Sequence, residues 1–224
     1  MTVLGGYGSQ MLAGALATLE IAFASLAAGL FLGLVGAAAK LSSWKPLSLG
    51  ATLLTNLLRG TPEFIILLVC YFGLAQQLYR MLGRATEMSP FFGGVFALSV
   101  VFGSNASESF RGAFVAVPAG QTEAACAIGM SASRVFFRIQ LPQAWRLVLP
   151  SLNNLWQNLL KDTSLVSVLG LDELMHKASI AAQVTHQPLT FYFAAAAIYF
   201  VLLAASGPVF GLLEARATRG VRRA

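Results

Sequence analysis

Glu123-Ala124-Ala125-Cys126-Ala127-Ile128-Gly129, continued through Ile139-Gln140-Leu141-Pro142, is a polar, small-residue island between strongly apolar segments. Pro118 and Gly120 sit poorly inside a helix and mark where the island's first helix begins. Thr122 to Ile128 are mostly good helix formers, and Gly129 supplies a left-handed stop. Ser131 is suited to cap a second short helix, which the sequence ends before Pro142. With Arg134 and Arg138 on it, the stretch from about 118 to 142 reads as a compact helix–turn–helix docking loop.

Composition sets the surroundings of that loop. Of 224 residues, 57% are hydrophobic and only 11% charged, against roughly 25% charged in soluble domains. Mean hydropathy is +0.71. This is the composition of an integral membrane protein. The net charge of +6 is therefore read as loop retention at the cytoplasmic surface, not as a nucleic-acid footprint. Cys70 and Cys126 give no disulfide framework and no C-x-x-C, and neither His176 nor His186 has a metal-ligand neighbour at useful spacing. No metal site is expected. The first apolar run lacks a basic leader and a cleavage site and reads as a retained span.

Five spans follow from the apolar runs, at about 11–39, 63–79, 91–110, 147–171 and 189–213, in a single all-α transmembrane domain covering 1–224. The Arg59-Gly60-Thr61-Pro62-Glu63 break puts 51–58 at the membrane surface before the second span. Basic residues orient the chain. With the N-terminus outside and the C-terminus cytoplasmic, Lys40, Lys45, Arg59, Arg111, Arg134, Arg138, Arg146, Arg216, Arg219, Arg222 and Arg223 all fall inside. Only Arg80, Arg84 and Lys177 fall outside, and Lys161 lies within a span. That asymmetry satisfies the positive-inside rule and makes the 118–142 loop cytoplasmic.

The fourth span carries an unusual polar stripe. Asn154, Gln157, Asn158, Lys161 and Asp162 share one helical face, with Leu155, Trp156, Leu159 and Leu160 on the other. Polar groups in a bilayer are costly unless they face protein or a cavity. Lys161 and Asp162 read either as an internal ion pair or as a receptor for a zwitterion, the ammonium taking a carboxylate and the carboxylate an amine. Glu20 lies about 15 Å along the first span and Asp162 about 24 Å along the fourth, so both are reachable from an outward-opening cavity. Glu108 pairs locally with Arg111. Glu63, in the first turn after Pro62, reads as a helix-terminal charge.

Leu58-Arg59-Gly60-Thr61-Pro62, the Glu123–Pro142 loop, and Leu160-Lys161-Asp162-Thr163-Ser164-Leu165 together resemble the polar amino acid permeases of bacterial ABC importers, whose docking loop is the EAA loop. Ser107-Glu108-Ser109-Phe110-Arg111-Gly112-Ala113-Phe114 and Gly170-Leu171-Asp172-Glu173-Leu174 are most similar to the histidine/arginine/octopine-type subunits. The resemblance runs from about Leu12 to Arg223. It implies a type I importer fold and alternating access in the cytoplasmic (inner) membrane of a bacterium. It further implies ABC ATPase subunits docked on Glu123, Ala124, Ala125, Gly129, Arg134 and Arg138. A second permease subunit, identical or paralogous, and an extracytoplasmic solute-binding protein complete the assembly. ATP and magnesium would be bound by the ATPase, since this sequence has no P-loop and is not expected to be an enzyme itself.

The same resemblance supports Lys161 and Asp162 near the substrate's backbone groups. Asn105 stands where the family often carries a tyrosine, so it belongs to the pocket wall. Candidate substrate contacts are thus Lys161, Asp162, Glu20, Asn105 and Asn158, with negative charge favouring a basic amino acid. Two other readings remain open: an ion-coupled secondary transporter or channel, and a coupling subunit whose partner permease holds the substrate.

Overall fold

A computed structural model describes residues 6–83 and 89–218, and the described residues are helical throughout, without strands. The first helix, α1 (Gly8–Lys40), is followed by α2 (Lys45–Gly60), α3 (Glu63–Leu68), a π-helical turn (Val69–Ala75) and α4 (Gln76–Met81). Then come α5 (Pro90–Val115), α6 (Ala119–Ala127), α7 (Ala132–Val135) and a second π turn (Phe136–Gln140). The chain closes with α8 (Leu141–Asp162), a 3₁₀ segment (Thr163–Leu169), α9 (Leu174–Thr185) and α10 (Pro188–Ala217). Arg84, Arg219, Arg222 and Arg223, which enter the orientation argument, lie outside the described residues.

Helices α1, α5 and α10 are long and apolar enough to cross a membrane. Helices α2 and α3 form a broken pair bent by 112°, a fourth candidate. The bend falls where the sequence places it, because Pro62 cannot continue α2 and restricts the residue before it. Helix α8 has 22 residues, but its polar stripe keeps it out of the apolar set.

Two helices form the spine. In a bilayer, close backbone approach replaces the hydrophobic drive between helices, and small residues permit it. Gly33 of α1 faces Ala106 of α5 so closely that a Cβ at Gly33 would lie 2.7 Å from the Ala106 Cβ. Against this pair, α8 buries Val148, Leu152, Trp156, Leu159 and Leu160. The division of faces agrees with the sequence reading: Asn154, Asn158 and Lys161 are exposed on the opposite side. A smaller cluster around Met11, Leu174, Ala178 and Phe191 packs α9 between α1 and α10.

The docking loop differs from the sequence reading in one respect. Gly129 does adopt the left-handed conformation, at φ +80°, and ends α6. However, the second helix does not stop before Pro142. It passes from α7 through the π turn straight into α8, with Pro142 in the first turn of α8. A proline is tolerated there, and the wider π turn accommodates the break in hydrogen bonding before it. Gln140 donates to Thr122 Oγ1 at 3.3 Å and Gln143 to Gln121 Oε1 at 2.6 Å, which ties α6 to the base of α8.

Candidate functional site

A small pocket of about 100 Å³ opens between α3, α5 and α8. Glu63, Asn105, Asn158 and Asp162 supply its polar walls, and Val101, Phe102, Leu155 and Leu159 its apolar ones. The 112° bend brings Glu63 to the pocket and within hydrogen-bonding reach of the Asp162 carboxyl. Asn105 is held from two sides: its amide donates to the Val101 carbonyl at 3.2 Å, and its Oδ1 accepts from Arg59 Nε at 3.3 Å. A larger apolar groove of about 890 Å³ lies between α1, α5 and α8 near the docking loop, with Gln140 as its one polar wall residue. It offers almost nothing to hold a zwitterion.

Beside the pocket, toward the α1–α2 corner, Glu108 collects three cations. Lys40 Nζ reaches Glu108 Oε2 at 3.0 Å and donates to Ser107 Oγ at 3.1 Å, with its side chain 1% exposed. Arg111 grips Glu108 Oε1 with both Nε and Nη2. Arg59 Nη1 stands 4.0 Å from Glu108 Oε2. The local Glu108–Arg111 pair expected from sequence is thus one part of a cluster joining α1, α2 and α5.

Of the five candidate substrate contacts, the pocket unites Asp162, Asn105 and Asn158. Glu20 is exposed on α1 and Lys161 is exposed on α8; neither lines this pocket. Glu63 was read from sequence as a helix-terminal charge, and the structure adds a pocket-facing role. The Gly60-Thr61-Pro62 break was the available signal, since a carboxylate straight after a sharp turn can be aimed inward. In the docking loop, Glu123, Ala124, Gly129, Arg134 and Arg138 are exposed, while Ala125 is buried and holds α6 down. Ile128 and Phe137 add exposed apolar surface beside them.

A second polar junction lies between the fourth and fifth segments. Glu173 is fully buried, and its carboxylate accepts from Met175 N at 2.9 Å, His176 N at 2.7 Å, Tyr199 Oη at 3.1 Å and Thr18 Oγ1 at 3.4 Å. It caps α9 while joining α1 to α10. Burial pushes this carboxyl's pKa up, and the four hydrogen bonds oppose that shift.

Three helices long and apolar enough to cross a membrane, a small polar pocket between α3, α5 and α8, and an exposed helical loop fit a membrane-embedded transport subunit. Comparison with known proteins is specific within that class. Residues 11–219 match the model of the binding-protein-dependent transport system inner membrane components. The chain is 43% identical to the arginine ABC transporter permease protein ArtQ of Haemophilus influenzae, over 94% of this chain and 95% of that one. It is 40% identical to the octopine transport system permease protein OccQ of Rhizobium radiobacter, over 97% and 94%. A solved amino acid ABC transporter with histidines superposes with a TM-score of 0.83 at 33% identity, covering 94% of this chain and 95% of that one. The chain belongs to the family of binding-protein-dependent transport system inner membrane components.

Proposed function

We propose that this chain is the permease subunit of an ATP-driven importer for basic amino acids in the inner membrane of a bacterium. The observation that carries the substrate class is the Glu63–Asp162 carboxyl pair, set with Asn105 and Asn158 in one pocket that is open on its Glu63 and Asn158 side. Two carboxyls facing each other repel when both are ionised, and a cation between them relieves that repulsion. The relatives named for arginine and octopine transport favour the same chemistry.

In this reading the protein crosses the membrane five times, with the N-terminus outside and the docking loop in the cytoplasm. An ATPase subunit, which binds ATP and magnesium, docks on Glu123, Ala124, Gly129, Arg134, Arg138 and the neighbouring Ile128. A loaded solute-binding protein docks on the outer side. A pocket of about 100 Å³ falls below the roughly 300 Å³ usual for small-molecule sites. The exposed Asn154, Asn158 and Lys161 face therefore meets a second permease subunit, and the pocket opens as the two subunits move. Movement of the docked loop reaches Asp162 directly, because α7, the π turn and α8 are continuous.

Reconstituted vesicles test this. Uptake of L-arginine should require ATP and the ATPase subunit, and E63Q or D162N should weaken it at least tenfold. Uptake that persists without ATP would point to an ion-coupled carrier. Unchanged affinity and transport in both variants would move the substrate site to the partner permease.

A further inference from the structure

The pocket is acidic, yet an amino acid also carries a carboxylate. Among its lining residues are Glu63 and Asp162 but no cation. Lys161, the sequence's candidate for that carboxylate, is exposed outside the lining. Through Asn105 the pocket wall connects to the cations around Glu108, where Lys40, Arg59 and Arg111 outnumber one carboxylate. Lys40 is fully committed to Glu108 and Ser107, and Arg111 is locked to Glu108 through two nitrogens. Arg59 differs. Its contacts, at 3.3 Å to Asn105 and 4.0 Å to Glu108, are both long, and its side chain is 38% exposed. One of those partners, Asn105, is itself a pocket wall.

We infer that Arg59 is the carboxylate-recognising subsite of the transport pathway, an inference that rests on the pocket being the substrate site. The substrate's cationic end lies between Glu63 and Asp162, and its α-carboxylate reaches past Asn105 to the Arg59 guanidinium. A guanidinium fork matches a carboxylate's two oxygens, and Arg59 can exchange its long contact to Glu108 for this shorter one. Glu108 remains neutralised by Lys40 and Arg111 when that happens. The cation–carboxylate spacing of the ligand is then measured between α3 and α8 at one end and the α2 terminus at the other.

Binding of L-arginine and of its decarboxylated analogue agmatine to the purified importer complex, without binding protein, tests the assignment. Wild type should prefer L-arginine. R59Q should weaken L-arginine about 10- to 100-fold, the scale of a charge-assisted hydrogen bond, and leave agmatine unchanged. R59K, which keeps the charge and loses the fork, should fall between. Equal weakening of both ligands in R59Q and R59K would make Arg59 a brace between α2 and α5 and overturn the inference. Loss of the preference in K161Q but not in R59Q would assign the carboxylate to Lys161 and also overturn it. If wild type binds neither ligand, or E63Q and D162N change neither affinity, the pocket itself is not the substrate site and Arg59 falls with it.

Discussion

Replacing Glu173 by alanine should unfasten α9 from the bundle, and the structure sets the size of the effect. The fully buried carboxylate takes part-buried hydrogen bonds from Met175 N, His176 N and Tyr199 Oη. Alanine leaves the Met175 and His176 N–H groups without an acceptor, while the Tyr199 hydroxyl keeps the Thr163 and Thr18 hydroxyls within reach. Thr18 is spared, because its hydroxyl keeps the Gly14 carbonyl at 3.0 Å. At roughly 1–3 kcal/mol per unsatisfied buried group, reduced where water enters beside α9, the expected loss is about 3–5 kcal/mol. Glutamine retains one acceptor oxygen and should cost about 1–2 kcal/mol. Unfolding of the detergent-solubilised complex, followed by tryptophan fluorescence, should rank wild type above E173Q and E173Q above E173A. The same pair tests the pH linkage. Burial raises this carboxyl above its unfolded value, so its contribution is full below about pH 4.3 and declines as pH rises through the folded value. E173Q cannot titrate and should lack that slope. An E173A midpoint equivalent to a loss under about 1 kcal/mol, or a pH slope retained in E173Q, would refute the junction described here.

Two further substitutions separate coupling from packing. Gly129 sits at φ +80° with no atom within 4 Å of an added Cβ, so G129D should cost only about 1–2 kcal/mol of local strain. The same change should abolish ATPase association and transport, measured by co-purification and uptake; survival of both would mean that the loop does not dock there. Gly33 is the opposite case. A Cβ there meets Ala106 Cβ at 2.7 Å and the Ser107 backbone nitrogen at 3.3 Å, so G33A should cost about 1–3 kcal/mol by forcing α1 from α5, and G33L should abolish folded expression. A fully stable G33L would contradict the helix approach.

How much of this was legible without coordinates depends on whether a residue's role is local. The stripe on α8 was readable because a 3.6-residue period fixes which side chains share a face, and the buried set from Val148 to Leu160 follows it. Gly129 was readable because a left-handed turn selects glycine whatever lies nearby. The pocket was half readable. Asp162, Asn105 and Asn158 are polar residues in apolar segments and so stand out singly. That Glu63 joins them depends on a 112° bend whose direction no periodicity encodes. Lys161 and Glu20 show the reverse: both carry charge in apolar segments, yet helix rotation leaves each exposed on its own face. Glu173 stood within the Gly170–Leu174 motif, but its partners were not readable for the same reason, since Thr18 and Tyr199 lie 155 and 26 residues away in sequence. What a sequence of this kind discloses is which residues cannot face lipid; which partner each one faces is decided by the crossing and bending of helices.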